Sequence, residues 1–234
     1  MKNEILKYYP KAEDAEKVTE HYLKELEDVH SFDLENTLLA TSICVDDINV
    51  STEFRRIQLR PFIMGGLAGV PFVGLTGITA FAHHVPDDGY AFIFYGPHIG
   101  VTKDGTLGKI RRKGQAKNTT CCGALALGID LINDDRKIQE EESDDFWSQY
   151  DYQESRLIKV LQPHKQRILK SEHPIWEATE VTYGHINKFM NKLVESRKSE
   201  FNCKKIALLG GIIINTDFSE DDFVEIRDFN VINI

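Results

Sequence analysis

From Ala12 to Val29 the apolar residues Ala12, Ala15, Val18, Tyr22, Leu26 and Val29 return every three or four positions among Glu, Lys and His. A 3.6-residue period puts them on one stripe, which predicts an amphipathic helix. The pattern then changes. Leu38 to Ile43 is small or apolar throughout, and Tyr90 to Tyr95 (YAFIFY) is aromatic and β-branched between Asp-Asp-Gly and Gly-Pro. Both runs read as buried strands, and KKIALLGGIIINT (204–216) is the clearest strand in the chain. Helical patterns return at 154–170 and 175–197. Asp104-Gly105, between two strand-like runs, predicts a hairpin. Thr120 is placed to cap a helix whose first turn holds Cys121 and Cys122. Strands and helices mixed in this way make an α/β protein.

One uncharged stretch, residues 61–82, is long enough to cross a bilayer. Five glycines and the internal Pro71 interrupt it, and residues of chemical interest lie directly on both sides. It is expected to form a buried helix or loop pair at a subunit interface rather than a membrane span. The chain has 234 residues, enough for a core that needs no disulfide, and with no low-complexity linker or internal repeat 1–234 reads as one domain. Residues 1–35 would form an N-terminal helical segment. The acidic run 134–156 reads as solvated surface.

A formal net charge of −9 disfavours nucleic acid and anionic lipid as partners, and the basic cluster Lys109 to Lys113 is too short to reverse that. The opening MKNEILKYYPKAEDAEKV has neither an apolar segment nor a small-residue cleavage site, so the expected compartment is the cytoplasm. There the four cysteines stay as thiols.

Three soft or borderline ligands fall at element ends: Cys44 after one strand, His98 after another and Cys122 at a helix start. The carboxyl ends of strands line the functional crevice of an open α/β sheet, so such residues can meet there. Zinc accepts thiolate and imidazole, and three protein ligands leave a fourth position open, as in catalytic sites. The separations are long and contain no Cys-x-x-Cys pair, so placement carries this reading and spacing does not. A thiolate at a helix N-terminus is favoured by the dipole. Cys121 competes with Cys122, because sequence does not decide which thiol points at the metal. His83 and His84 have the chemistry of proton shuttles, with turn or surface roles as the alternative. Cys203 reads as a nonfunctional thiol. The glycine-rich block lacks G-x-G-x-x-G, so close backbone packing accounts for it better than a phosphate cradle.

Cys44-Val45-Asp46 and the downstream arginines, together with SICVDDIN (42–49), MGGLAGVPFVGLTG (64–77), HHVPDDG (83–89), YGPHIGV (95–101), CCGAL (121–125) and LLGGIIINT (208–216), make the chain resemble the low-carbon-dioxide-inducible B/C (LCIB/LCIC) family of β-carbonic-anhydrase-like proteins. The resemblance implies a β-carbonic-anhydrase-like fold with a central, mostly parallel sheet flanked by helices, and a homodimer. It implies zinc on Cys44, His98 and Cys122, and reversible hydration of carbon dioxide to bicarbonate and a proton by zinc-bound hydroxide. Asp46 matches the aspartate of an Asp/Arg dyad and can in relatives take the fourth zinc position. Where ordinary β-carbonic anhydrases carry the arginine, two residues on, this chain has Ile48. Arg56 is the choice for that role, with Arg55 and Arg60 as competitors. The displaced arginine motivates the alternative of a noncatalytic zinc-containing protein that binds bicarbonate or serves in assembly. Leu67 to Phe72 is a candidate wall of the substrate pocket.

Overall fold

Asp14 decides where the first long helix begins. Its carboxylate accepts hydrogen bonds from the backbone N–H groups of Glu16 and Lys17, so helix α2 runs over Ala15–Asp28, inside the apolar period that predicted it. The structure is a computed structural model and describes residues 1–47, 54, 60–134 and 151–234. Helix α1 (Lys2–Leu6) and strand β1 (Glu13–Asp14) precede α2. After it come β2 (Thr37–Ser42), β3 (Phe62–Ile63), a 3-10 turn at Leu67–Gly69, helix α3 (Gly74–His84), β4 (Tyr90–Tyr95) and β5 (His98–Gly100). The short strands β6 (Lys109–Ile110) and β7 (Thr119–Thr120) form a hairpin ahead of helix α4 (Gly123–Asn133). Helices α5 (Tyr152–Leu161), α6 (Lys165–Lys170) and α7 (Pro174–Ser196) lead to the long strands β8 (Lys205–Asn215) and β9 (Phe223–Asn233).

The central sheet has the order β1-β9-β8-β4-β2-β3, with β5 also paired to β8. β2, β3, β4, β5 and β8 are parallel where they pair, and β9 and β1 close one side antiparallel. Alternation along each strand feeds two cores. Ala91, Ile93 and Tyr95, with Ile206 and Leu208, pack under the helical layer of α3, α4, α5 and α7. Phe92, Phe94, Ala207 and Leu209 face Val18, Leu23 and Leu26 of α2 on the other side. Phe92 and Phe94 are fully buried, which stabilises the fold by about 1.5–3 kcal/mol each.

What positions the site is an early stop. β2 ends where Ser42 pairs with Tyr95, while the β4 line continues through Gly96 and Pro97 into β5, still in register with β8. A crevice therefore opens beyond the end of β2, beside β5. Three glycines bring backbones together there. A β-carbon on Gly96 would lie 1.8 Å from the Gly211 carbonyl oxygen, on Gly69 2.3 Å from that of Gly96, and on Gly65 2.4 Å from that of Ile43. Gly69 also has φ +80°, a conformation only glycine adopts without strain.

Several expectations change in detail. His98 lies past the end of β4, as expected, and also opens a further short strand, β5, in the same register with β8. Asp104-Gly105 turns the chain back as expected, closed by the Val101–Leu107 bridge and by backbone bonds from Thr102 to Thr106 and from Gly108 to Gly100, and β6–β7 forms a second hairpin after it. Thr120 belongs to β7, and α4 begins at Gly123 with Cys122 in the capping position, so both cysteines precede the helix. The stretch 61–82 divides into β3, the 3-10 turn and most of α3, and among the described residues no helix is long and apolar enough to cross a membrane.

Replacing Gly96 by alanine forces backbone apart at the entry to β5. Gly96→Ala is expected to lower stability by about 1–3 kcal/mol, read as a shift in the urea midpoint.

Candidate metal centre

Cys44 stands two residues past the end of β2, His98 opens β5, and Cys122 follows the β6–β7 hairpin. Backbone bonds join these pieces: the Gly108 N–H donates to the Gly100 carbonyl and the Gly100 N–H to the Cys121 carbonyl, each at 2.8 Å. Together with Asp46, the three residues bring one ligand atom each to within 4.8 Å of one another. Cys44 and Cys122 face each other with their sulfurs 3.7 Å apart, and the Ala68 N–H points at the Cys44 sulfur from 3.1 Å. Cys44, His98 and Cys122 are buried, whereas the side chain of Asp46 is 41% exposed and reaches the crevice mouth.

The geometry separates the two adjacent cysteines. Cys122 joins Cys44, while the Cys121 sulfur lies 3.5 Å from His98 Nδ1 and from Asn215 Oδ1, on the other side of the ring.

Asn215 fixes what His98 presents. Its Nδ2 donates to Asp47 Oδ1 and Asp222 Oδ2, each at 3.1 Å, so its carbonyl oxygen faces His98 and takes the Nδ1–H at 2.7 Å. The neutral ring then carries its lone pair on Nε2. That buried nitrogen has no hydrogen-bond partner, although Asp46 Oδ1 lies 2.8 Å away out of line. Two such atoms that close, beside two sulfurs, call for a positive charge between them, which a proton on Nε2 or a divalent cation shared by all four supplies. Two thiolates and an imidazole select zinc over calcium or magnesium.

The electrostatics reflect the same crowding. Hydrogen bonding between the thiols, followed by burial, pushes Cys44 up, and the same bond holds Cys122 down. Burial alone would lower His98, but the Cys122 thiolate and Asp46 raise it well above the usual imidazole range. Burial likewise opposes ionisation of Asp46, yet His98 chiefly, with Cys44 and Arg112, holds it at about 2. Asp47 is pushed up to about 6 by burial.

Among the described residues the guanidinium at Asp46 is that of Arg112, with Nη2 3.6 Å from Oδ2. Arg55 and Arg56 lie outside the described residues; Arg60 is exposed. His83 and His84 are exposed on the last turn of α3, against Glu200 and the Ala80 carbonyl, and neither joins the cluster. Ala68 reaches Cys44, but Val70, Pro71 and Phe72 line a separate cavity of about 100 Å³ with Tyr152, Arg156 and Phe189. Asn215 and Arg112 went unread in the sequence. A polar residue ending an otherwise apolar strand was the signal for the first, and an arginine within a hairpin for the second.

The chain is similar to known proteins over nearly its whole length. The family model described as limiting CO2-inducible proteins B/C beta carbonic anhydrases matches residues 14–233. The crystal structure of PtLCIB4, a homolog of the limiting CO2-inducible protein LCIB, is 28% identical with a TM-score of 0.88, covering 100% of this chain and 96% of that one. That of LCIB itself is 18% identical with a TM-score of 0.71, covering 97% and 93%, and supports the fold alone. No curated protein matches the sequence. With its sheet, its Cys/Asp/His/Cys cluster and a family match over 14–233, this chain belongs to the limiting CO2-inducible B/C family of β-carbonic-anhydrase-like proteins.

Proposed function

We propose that this protein is a zinc-dependent carbonic anhydrase that reversibly hydrates carbon dioxide to bicarbonate and a proton. The observation that carries the reading is the convergence of Cys44, His98, Cys122 and Asp46, with His98 turned so that its Nε2 faces the others. Cys44, His98 and Cys122 would hold the ion. Bound there, zinc supplies the Lewis acidity that brings the pKa of a water down to about 7. Asp46 stays ionised at neutral pH, so it accepts a hydrogen bond from the attacking water and orients a lone pair toward the substrate carbon. Its exposure places it on the route by which substrate and product pass. Asn215 keeps the imidazole from turning, and the Ala68 N–H offsets charge on the Cys44 sulfur. A homodimer belongs to the same proposal, supported by the exposed apolar side chains Val45, Ile63, Leu75 and Leu127 on the segments around the crevice.

Purified protein is expected to contain about one zinc per chain, and Cys44→Ser and Cys122→Ser to lose it. Asp46→Ala should keep the metal while hydration, followed by oxygen-isotope exchange, falls by about 10²-fold or more. Full zinc occupancy without turnover at any pH would overturn the enzyme reading; bicarbonate binding without exchange would support the noncatalytic alternative. Asn215→Leu removes the acceptor of His98 Nδ1, and chelator competition should show zinc held about 10–100-fold more weakly. Protons compete for both thiolates and for an imidazole whose proton affinity is raised, so zinc affinity should fall steadily as pH is lowered from about 8 to about 5.

A further inference from the structure

We propose that Arg112, on the β6–β7 hairpin, is the positioning residue that controls Asp46. The inference rests on the zinc reading above.

Asp46 is divided between two neighbours. Oδ1 faces His98 Nε2 at 2.8 Å, within the ligand cluster, and Oδ2 faces Arg112 Nη2 at 3.6 Å. An ion pair between mobile surface side chains is worth little, because ordering both offsets their attraction. Arg112 is ordered by its own hairpin. Its Nη1 donates to the Thr119 hydroxyl at 2.7 Å and to the Thr120 carbonyl at 3.2 Å, and Thr119 in turn donates to Gln115 Oε1 at 2.9 Å. The hairpin is fixed on its far side as well: Asp217 Oδ1 accepts from the Arg111 N–H at 2.8 Å, and the Arg111 carbonyl accepts from the Phe218 N–H at 3.0 Å. On its near side it bonds to β5 through Gly100 and Gly108. The backbone that places His98 and Cys122 thus also places this guanidinium.

A carboxylate held at one oxygen by a fixed cation has less freedom to close on the metal with both. Arg112 therefore acts as a competitor of the metal for Asp46 and keeps the remaining coordination position accessible to small ligands. The position two residues after Asp46 is Ile48, which offers no cation, and among the described residues Arg112 brings one to Asp46 from another element.

The test uses full-length protein loaded with cobalt(II), whose thiolate charge-transfer band reports Cys44 and Cys122 and whose ligand-field bands report what fills the remaining position. Azide is the probe. Wild-type protein should bind azide with a clear spectral change. Arg112→Ala should retain the thiolate band but bind azide at least about 10-fold more weakly, and Arg112→Lys, which keeps a cation, should recover part of the affinity. In an Asp46→Asn background, Arg112→Ala should have little further effect, since the arginine acts through the carboxylate. Unchanged azide affinity in Arg112→Ala, or an equal loss in both backgrounds, overturns the inference. So does Arg56→Ala reproducing the loss while Arg112→Ala is silent. Wild-type protein that takes up neither zinc nor cobalt overturns the metal reading itself, an outcome distinct from these.

Discussion

Bringing four electron-rich side chains within 4.8 Å of one another in a largely buried crevice is unfavourable unless a positive charge sits among them, and much of this fold is arranged around that constraint. Each donor is held by something rigid. Cys44 lies beyond the last pair of β2 and receives the Ala68 N–H. His98 is set in a strand and braced by Asn215, itself pinned by two carboxylates. Cys122 is delivered by a hairpin bonded to the same strand. Donors that cannot relax apart keep the repulsion in place until a cation relieves it, which is the physical content of a preformed metal site.

The glycines are the other half of that rigidity. Gly65, Gly69 and Gly96 let backbone approach backbone where any side chain would intrude, and they do so beside Cys44 and at the entry to β5. Their work is structural, yet it holds the backbone on which Cys44 and His98 stand. A block that looks like a phosphate loop in composition is here a set of close contacts at the C-terminal ends of parallel strands.

Much of this was legible in the sequence because long, two-sided burial leaves an unbroken apolar signature. YAFIFY and KIALLGGIIIN, both central in the sheet, read directly as strands. β9 did not: FVEIRDFNVIN mixes acids, Arg and Asn with apolar residues, and it becomes a strand only because β8 offers it a full antiparallel ladder. The candidate ligand residues were picked out by placement at element ends, and the choice of Cys122 over Cys121 came from the family resemblance; the structure brings the chosen side chains together. Asn215 and Arg112 were invisible for a different reason. Their roles depend on which oxygen or nitrogen they face, and that follows from register between β5 and β8 and from the hairpin's docking, neither of which a linear pattern encodes.

The register of β8 also bears on when the site can exist during biosynthesis. Cys44, His98 and Cys122 are synthesised well before Asn215, but His98 lacks its brace until β8 has inserted between β4 and β9. Contacts of such wide sequence separation form late, after the loops between them have closed. A metal taken up as proposed would then be captured by the nearly folded chain. A nascent or misassembled polypeptide displays thiols without a fixed imidazole, since the brace on His98 comes from the last residue of β8.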